Sequence, residues 1–433
     1  MAPSHTVKVL ELCKIAPPSG TTTQTTLPLT LFDLLWITCP SVEHLLFYEF
    51  PHSKTHFTHT VLPHIKHSLS LALQDFFPLC GNLKCSQESN TKPTLSYMEG
   101  DSISLTIAES RQDFNYLVSN HVREAHNFHP LVPQLVASDT MTTVLAVQVT
   151  LFPKHGICIG FIVHHGIADG NTALQFMRSW SSRCRLKEDS SVMTLSPFYD
   201  RSVIKDPEGL EDIYLNDLRT FKGFHKILKT PDITMNGVDM VRTTFILSQT
   251  HIKWLNEWLL HLVNEKNVQQ FYTSTYVLIC AYVIVCLVKA RRMYDETKKT
   301  IQIVFPTGCR TRLNYPIPAT YFGNLIGICT TSAMKCDMIK GEYGFLVACE
   351  GIGRAIGDLE NGVMQGAEKW VKNNLLSDVS NERVMVAGTL KLSFYEIDFG
   401  WGRPIKSEII SLEKKGAFSL AESRDGDGGV KLD

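Results

Sequence analysis

The sequence predicts an α/β or α+β chain of two domains, and three observations carry that reading. Its 433 residues are too many for one compact core. Segments of strand character alternate with segments of helical period in both halves. The composition, 44% hydrophobic and 20% charged with Gly and Pro scattered along the chain, is that of a globular protein rather than a fibrous or disordered one.

The elements follow in order. After the polar stretch Ser19–Thr26 comes an apolar opening segment, Leu27–Trp36. Leu62, Ile65, Leu69, Leu73 and Phe76 recur at three- and four-residue steps, which predicts an amphipathic helix closed by Pro78 and Gly81. Short β-rich runs occupy Ser102–Ala108, Thr142–Leu151 and Ile157–Val163. The last is apolar on both faces, as a buried central strand is. A helix is predicted from Asn171 to Trp180, with Asp169 and Asn171 as candidate N-caps. From about Leu186 to Asp217 charge, Pro and Ser replace periodicity, which reads as a crossover. The expected division is therefore 1–185, a crossover at 186–217, and 218–433. In the second half Thr250–Glu265 and Phe271–Ala290 read as helices, and Thr300–Phe305 as a strand. Gly308–Tyr321 reads as a turn-rich loop, Glu350–Val371 as a helix and Leu390–Ile397 as a strand.

Bulk properties exclude several classes. Net charge is -1, with 42 basic and 43 acidic residues, so no nucleic-acid partner is expected. The 12 cysteines include no C-x-x-C pair and several sit in apolar runs, as buried free thiols of a reducing compartment do. Met1–Lys8 has no apolar core of a secretory leader, and the longest apolar run, Tyr276–Val288, falls short of the ~20 residues a membrane span needs. A cytoplasmic protein with no membrane partner is expected.

The densest chemistry lies in His164-His165-Gly166-Ile167-Ala168-Asp169-Gly170, between a predicted buried strand and a helix. Glycine permits a tight turn there, and an imidazole at a strand end suits general-base work on a hydroxyl. On the residues alone, two histidines in such a turn are more commonly core or turn residues than catalysts. Adjacent strand residues point to opposite faces, so His164 and His165 are not expected to share a metal ion. Gly351-Ile352-Gly353-Arg354-Ala355-Ile356-Gly357 has the wrong spacing for a dinucleotide loop and reads as close helix packing. Asp425-Gly426-Asp427-Gly428 lacks the Glu that would complete a calcium loop and reads as a hairpin turn. No Gly-x-Ser-x-Gly elbow or phosphate-binding Lys loop occurs.

Three stretches taken together resemble a known family. His165-x-x-x-Asp169-Gly170 after an apolar strand is followed by Arg310-Thr311-Arg312-Leu313 with Tyr321-Phe322-Gly323-Asn324, and then by Asp398-Phe399-Gly400-Trp401-Gly402. Their order and separation resemble the plant BAHD acyltransferases, along essentially the whole chain. The resemblance implies two chloramphenicol-acetyltransferase-like domains, each a mixed sheet flanked by helices, with a tunnel at their interface. It implies acyl-CoA as a co-substrate, no permanently bound cofactor, no metal, and a monomer. His165 would be the general base, and Asp169 would point away from substrate and pair with Arg310. Asp398, Gly400 and Gly402 would be structural, with Asp398 the candidate for a second active-site role. No CoA-contacting residue is implied.

Leu27–Asp33, Val42–Tyr48 and Val386–Lys391 resemble the branch acting on anthocyanin and other flavonoid or phenolic glucosides, with malonyl-CoA or a hydroxycinnamoyl-CoA as donor. Ala387 and Thr389 stand where shikimate and quinate hydroxycinnamoyltransferases carry Thr and Trp, and Leu325 replaces a Cys frequent in the favoured branch. The resemblance also leads one to expect a further strand and closing helix beyond Asp425–Asp433, without which a sheet edge would lie exposed. Two alternatives stand beside it: a carrier-protein-dependent condensation-like domain, which shares the His-His-x-x-x-Asp-Gly pattern, and a catalytically impaired homologue that only binds ligand.

Overall fold

The computed structural model describes residues 7–85, 91–186, 196–221, 240–291, 299–375, 382–413 and 417–433. They fall into two compact units. The first comprises the described residues of Met1–Thr244, Ile317–Asn324 and Leu392–Lys414; the second those of Phe245–Pro316, Leu325–Lys391 and Lys415–Asp433.

The first unit is built on a six-stranded mixed sheet in the order Val7–Ile15, Ile103–Ser110, Leu145–Phe152, Gly156–Val163, Val42–Glu49, Lys406–Ile409. Leu145–Phe152 and Gly156–Val163 are buried at every position, so both faces of the sheet centre are covered and the expected continuous apolar run appears. They pair antiparallel, with Gly156 opposite Phe152 and Val163 opposite Leu145. Ile103–Ser110 joins Leu145–Phe152 in parallel. Gly160 is required in this strand, because a Cβ there would collide with the Leu131 carbonyl. The helix Leu62–Asp75 buries Leu62, Ile65, Leu69, Ala72 and Leu73, the periodic face seen in the sequence. The helix Gly170–Leu186 reaches it through the Trp180 indole, which donates to the Ile65 carbonyl (3.4 Å).

The second unit carries another six-stranded mixed sheet: Phe245–Leu247, Val430–Leu432, Ala417–Glu422, Glu382–Gly388, Thr300–Gly308, Ile326–Met334. Thr300–Gly308 runs parallel to Glu382–Gly388, which runs parallel to Ala417–Glu422. Its core draws on the helices Gln249–Glu265, Thr275–Arg291 and Tyr343–Gly357. Gly353 lies so close to Phe271 and Tyr272 that a Cβ would not fit, which is the packing role expected of that glycine run. Among the described residues no helix is long and apolar enough to cross a membrane. None of the 12 cysteines is in a disulfide, and burial pushes the thiols of Cys85 and Cys329 up to about 12 and about 11, away from the thiolate.

Several expectations need correction. The division is not linear: Asp398–Gly402 belongs with the first unit, because the strand Lys406–Ile409 that follows pairs antiparallel with Val42–Glu49. The crossover expected at 186–217 runs into a helix, Leu210–Phe221. Asp206 starts it by accepting from the backbone N–H groups of Leu210 (2.7 Å) and Glu211 (2.8 Å). Leu210, Tyr214 and Leu218 are buried at four-residue steps, which holds it. The helix expected over Glu350–Val371 stops at Gly357 and resumes only at Trp370–Leu375. Gly362 and Gly366 between them take φ of 137° and 76°, which a continuing right-handed helix does not allow. The strand expected at Leu390–Ile397 lies earlier, at Glu382–Gly388. Gly388 ends it at φ 73°, and Phe394–Glu396 is a single 3-10 turn. Finally, Val430–Leu432, beyond the turn read at Asp425–Gly428, is itself a strand inserted between Ala417–Glu422 and Phe245–Leu247.

A buried ionic cluster fastens the late strand into the first unit. The Glu408 carboxylate, 0% exposed, accepts from Arg123 Nη1 (2.7 Å) and Arg242 Nη2 (3.0 Å). Arg242 Nη1 donates to Glu413 (2.8 Å). Lys406 Nζ donates to Asn120 Oδ1 (2.6 Å) and Thr244 Oγ1 (2.7 Å). Removing one partner of such a cluster strands buried charge, at a cost of about 3–5 kcal/mol. Glu408→Gln is therefore expected to lower the urea midpoint of unfolding markedly. Lys253→Ala, which breaks only the exposed pair Lys253–Glu257 (3.8 Å), should leave that midpoint unchanged.

Candidate active site

The site is assembled where the strand Gly156–Val163 ends. The His164 N–H still donates to Val144 O (2.9 Å), and the chain then turns, with the Ile167 N–H donating back to His164 O (2.9 Å). Gly166 makes this turn feasible, since a Cβ there would press on the Ile37 backbone. Asp169, 3% exposed, caps the next helix: its Oδ1 accepts the Thr172 N–H (2.9 Å) and its carbonyl the Ala173 N–H (3.0 Å). Of the two candidate caps it is Asp169 that serves; Asn171 lies inside the helix. The carboxylate satisfies an orphan helix donor and is favoured by the helix dipole.

The two histidines occupy opposite environments. His164 is 1% exposed and its Nδ1 accepts the Gly166 N–H (3.2 Å). Burial lowers its pKa to about 4, so it is a neutral structural residue near pH 7. His165 is partly exposed. Its ring lies flat on the Trp36 indole, with centroids 4.6 Å apart and planes within 9°, and its Nδ1 faces the interior. Its backbone carbonyl accepts from Asn324 Nδ2 (2.9 Å).

Behind the loop lies a polar network that the sequence did not disclose. Asn324, 0% exposed, also donates its backbone N–H and its Nδ2 to Asp33 Oδ1 (both 3.0 Å). Asp33 Oδ2 accepts from the Thr30 N–H (3.0 Å) and hydroxyl (2.9 Å), closing the start of the helix Leu31–Trp36. Arg201 Nη1 lies 3.4 Å from the same oxygen and donates to the Tyr321 hydroxyl (2.9 Å) and Phe322 O (2.8 Å). Burial opposes the Arg201 charge, but Asp33 and Tyr321 outweigh it and its pKa is raised. Thr172 Oγ1 donates to Gly323 O (2.9 Å). Gly323, at φ 133°, admits no Cβ because Arg201 Nη1 fills that space.

The second motif is a self-closed turn. Asp398 Oδ1 accepts the N–H groups of Gly400 (2.7 Å) and Gly402 (3.0 Å), whose φ values are 100° and 93°. The turn presents Phe399 edge-on to Trp180 (4.8 Å) and Trp401 edge-on to Tyr48 (5.7 Å). Of the predicted site residues, His165, Asp169, Asp398, Gly400 and Gly402 lie in the first unit and Arg310 in the second, where it lies within the turn Cys309–Leu313. Asp33, Trp36, Thr172 and Arg201 were missed as site residues. A lone carboxylate within Leu31-Phe32-Asp33-Leu34-Leu35-Trp36 was the available signal for Asp33; Arg201 had none. Among the described residues no group of three or more His, Cys, Asp or Glu side chains is arranged to hold a metal ion.

The His164 environment makes stability depend on pH. Unfolded, its imidazole titrates near 6.5; folded, near 4. Between those values the unfolded chain binds more protons, so stability falls as pH drops from 6.5 towards 4, by on the order of 3 kcal/mol in all. Urea titrations from pH 7 to pH 4.5 should show this decline, and a His164→Gln variant should lack that part of it.

The Transferase family matches over residues 6–433. A malonyl-coenzyme A:anthocyanin 3-O-glucoside-6''-O-malonyltransferase from Dahlia pinnata is 38% identical, over 96% of this chain and 91% of its own length. A phenolic glucoside malonyltransferase from Nicotiana tabacum is 36% identical, over 95% and 91%. The crystal structure of vinorine synthase, 18% identical, superposes with a TM-score of 0.67 over 98% of this chain and 94% of its own, which shows a shared fold. The chain thus belongs to the Transferase family, the BAHD group of acyl-CoA-dependent acyltransferases.

Proposed function

We propose that this chain transfers an acyl group from acyl-CoA to a sugar hydroxyl of a flavonoid, anthocyanin or phenolic glucoside, with His165 as general base. The observation that carries the reading is the partly exposed His165, its ring stacked on Trp36 and its backbone carbonyl held by Asn324. With Nδ1 turned inward, Nε2 is the nitrogen left to take the proton of the acceptor hydroxyl. The oxygen then attacks the thioester carbonyl, and a tetrahedral adduct forms without a covalent acyl-enzyme. As it collapses the C–S bond breaks, and the CoA thiolate takes the proton back from the imidazolium.

The capping bond of Asp169 to the Thr172 N–H supports a loop-bracing role. Asp398, with Gly400 and Gly402, is read as structural, supported by its two bonds within its own turn. The role carried to Arg310, as partner of Asp169, rests on sequence resemblance alone. Both relatives named above are malonyltransferases, which favours malonyl-CoA over a hydroxycinnamoyl-CoA and a CoA thioester over a carrier-bound one. A monomer in the cytoplasm is the accompanying reading.

Purified protein given malonyl-CoA and an anthocyanidin glucoside is expected to yield the singly malonylated product by mass spectrometry, and faster than p-coumaroyl-CoA yields its ester. Ligand binding without turnover across both donors would favour the impaired homologue instead. His165→Ala should lower kcat about 10²–10⁴-fold while the thermal midpoint stays near that of the unaltered protein.

A further inference from the structure

We propose that Asn324 and Trp36 are positioning residues for the His165 base, and that the helix Leu31–Trp36 is the frame from which both act. The inference rests on the general-base reading of His165.

A base on a loop works only if its ring is held close to the productive geometry, and loops do not hold themselves. Around His165 three restraints converge from different directions. The capped helix after Asp169 fixes the far end of the loop. Asn324 Nδ2 fixes the His165 peptide plane through its carbonyl, and with it the direction of the Cα–Cβ bond. The Trp36 indole fixes the ring plane, lying parallel to the imidazole at 4.6 Å.

The amide orientation of Asn324 is not arbitrary. Its NH₂ group faces a carboxylate oxygen and a carbonyl oxygen, both of which can only accept. Its Oδ1 is buried and has no hydrogen-bond partner among the described residues. The side chain is therefore set to deliver two donors, and an acceptor is left over as the consequence. Asp33, which receives one of those donors, lies three residues before Trp36, so the two side chains share one face of the helix. A single short helix thus holds the imidazole plane directly through Trp36, and the His165 carbonyl indirectly through Asp33 and Asn324.

The test compares steady-state kinetics of Asn324→Ala, Asn324→Ser, Trp36→Leu and Trp36→Phe with His165→Ala, each corrected for its folded fraction by thermal unfolding. For Asn324→Ala and Trp36→Leu we expect kcat to fall 10- to 100-fold, with KM for malonyl-CoA changed less than threefold. Trp36→Phe, which keeps an aromatic face, and Asn324→Ser, which keeps a donor, should recover at least part of that loss. A fall in activity that only tracks the unfolded fraction would overturn the proposal, as would a rise in KM at unchanged kcat. If His165→Ala is inactive while Asn324→Ala and Trp36→Leu keep full kcat, positioning fails and the base stands. If His165→Ala keeps its activity, the base reading fails and the positioning proposal falls with it.

Discussion

Asp33 carries a carboxylate with no exposure to solvent, and a buried carboxylate is tolerated only where protein donors replace its water. Those donors come from three parts of the chain: Thr30 beside it, Arg201 168 residues on, and Asn324 291 residues on. None can be omitted without leaving charge or a buried amide unmatched. The first unit therefore has to bring these segments together for reasons of electrostatics, and the His165 loop rests on the result. The Asn324 amide that serves Asp33 also serves the His165 carbonyl. One buried charge thereby ties the geometry of the base to the closure of the fold.

What the sequence disclosed was what is local. An apolar run over Ile157–Val163, two histidines, glycines at the turn and an aspartate before a periodic helix specify strand, loop and cap within some twenty residues, and each is found. Strand Val42–Glu49, which pairs with both Gly156–Val163 and Lys406–Ile409, is legible in the sequence only as a family likeness. Buried from Glu43 through Tyr48, it lacks the alternation that marks a half-exposed strand. Asp33 was visible as a charge in an apolar segment, but nothing near it in sequence named its partners. The same holds for Arg201, whose surroundings carry no period and whose role depends on residues 120 or more positions away.

The linear division into halves failed for the same physical reason. Strand pairing takes no account of sequence distance, so a late segment can complete an early sheet. Lys406–Ile409 does so on the edge of Val42–Glu49. An apolar strand of four residues could slip in such a place, and a slip by one residue would exchange its two faces. Glu408, opposite Leu45 in the observed register, meets Arg123 and Arg242 only there. The buried ions thus serve as a register lock as much as a source of stability, a use of buried charge that pure packing does not supply.

These two features have a joint consequence for how the site comes into being. The loop bearing His165 is specified early in the chain and could form its strand, turn and cap from neighbouring residues. Its restraint stays incomplete without distant segments, because Asn324, which holds the His165 backbone carbonyl, lies in Ile317–Asn324 and the sheet edge is completed by Leu392–Lys414, both far along the first unit. Until they dock, Asp33 lacks two of its donors and the Val42–Glu49 strand has an open edge, both of which disfavour a settled structure. The imidazole is thus placed by its neighbours in sequence, and the His165 backbone carbonyl is held by a residue 159 positions away. What separates a histidine in a turn from a poised base, on this reading, is the convergence of the Trp36 indole, the Asp169 cap and the Asn324 amide on one loop.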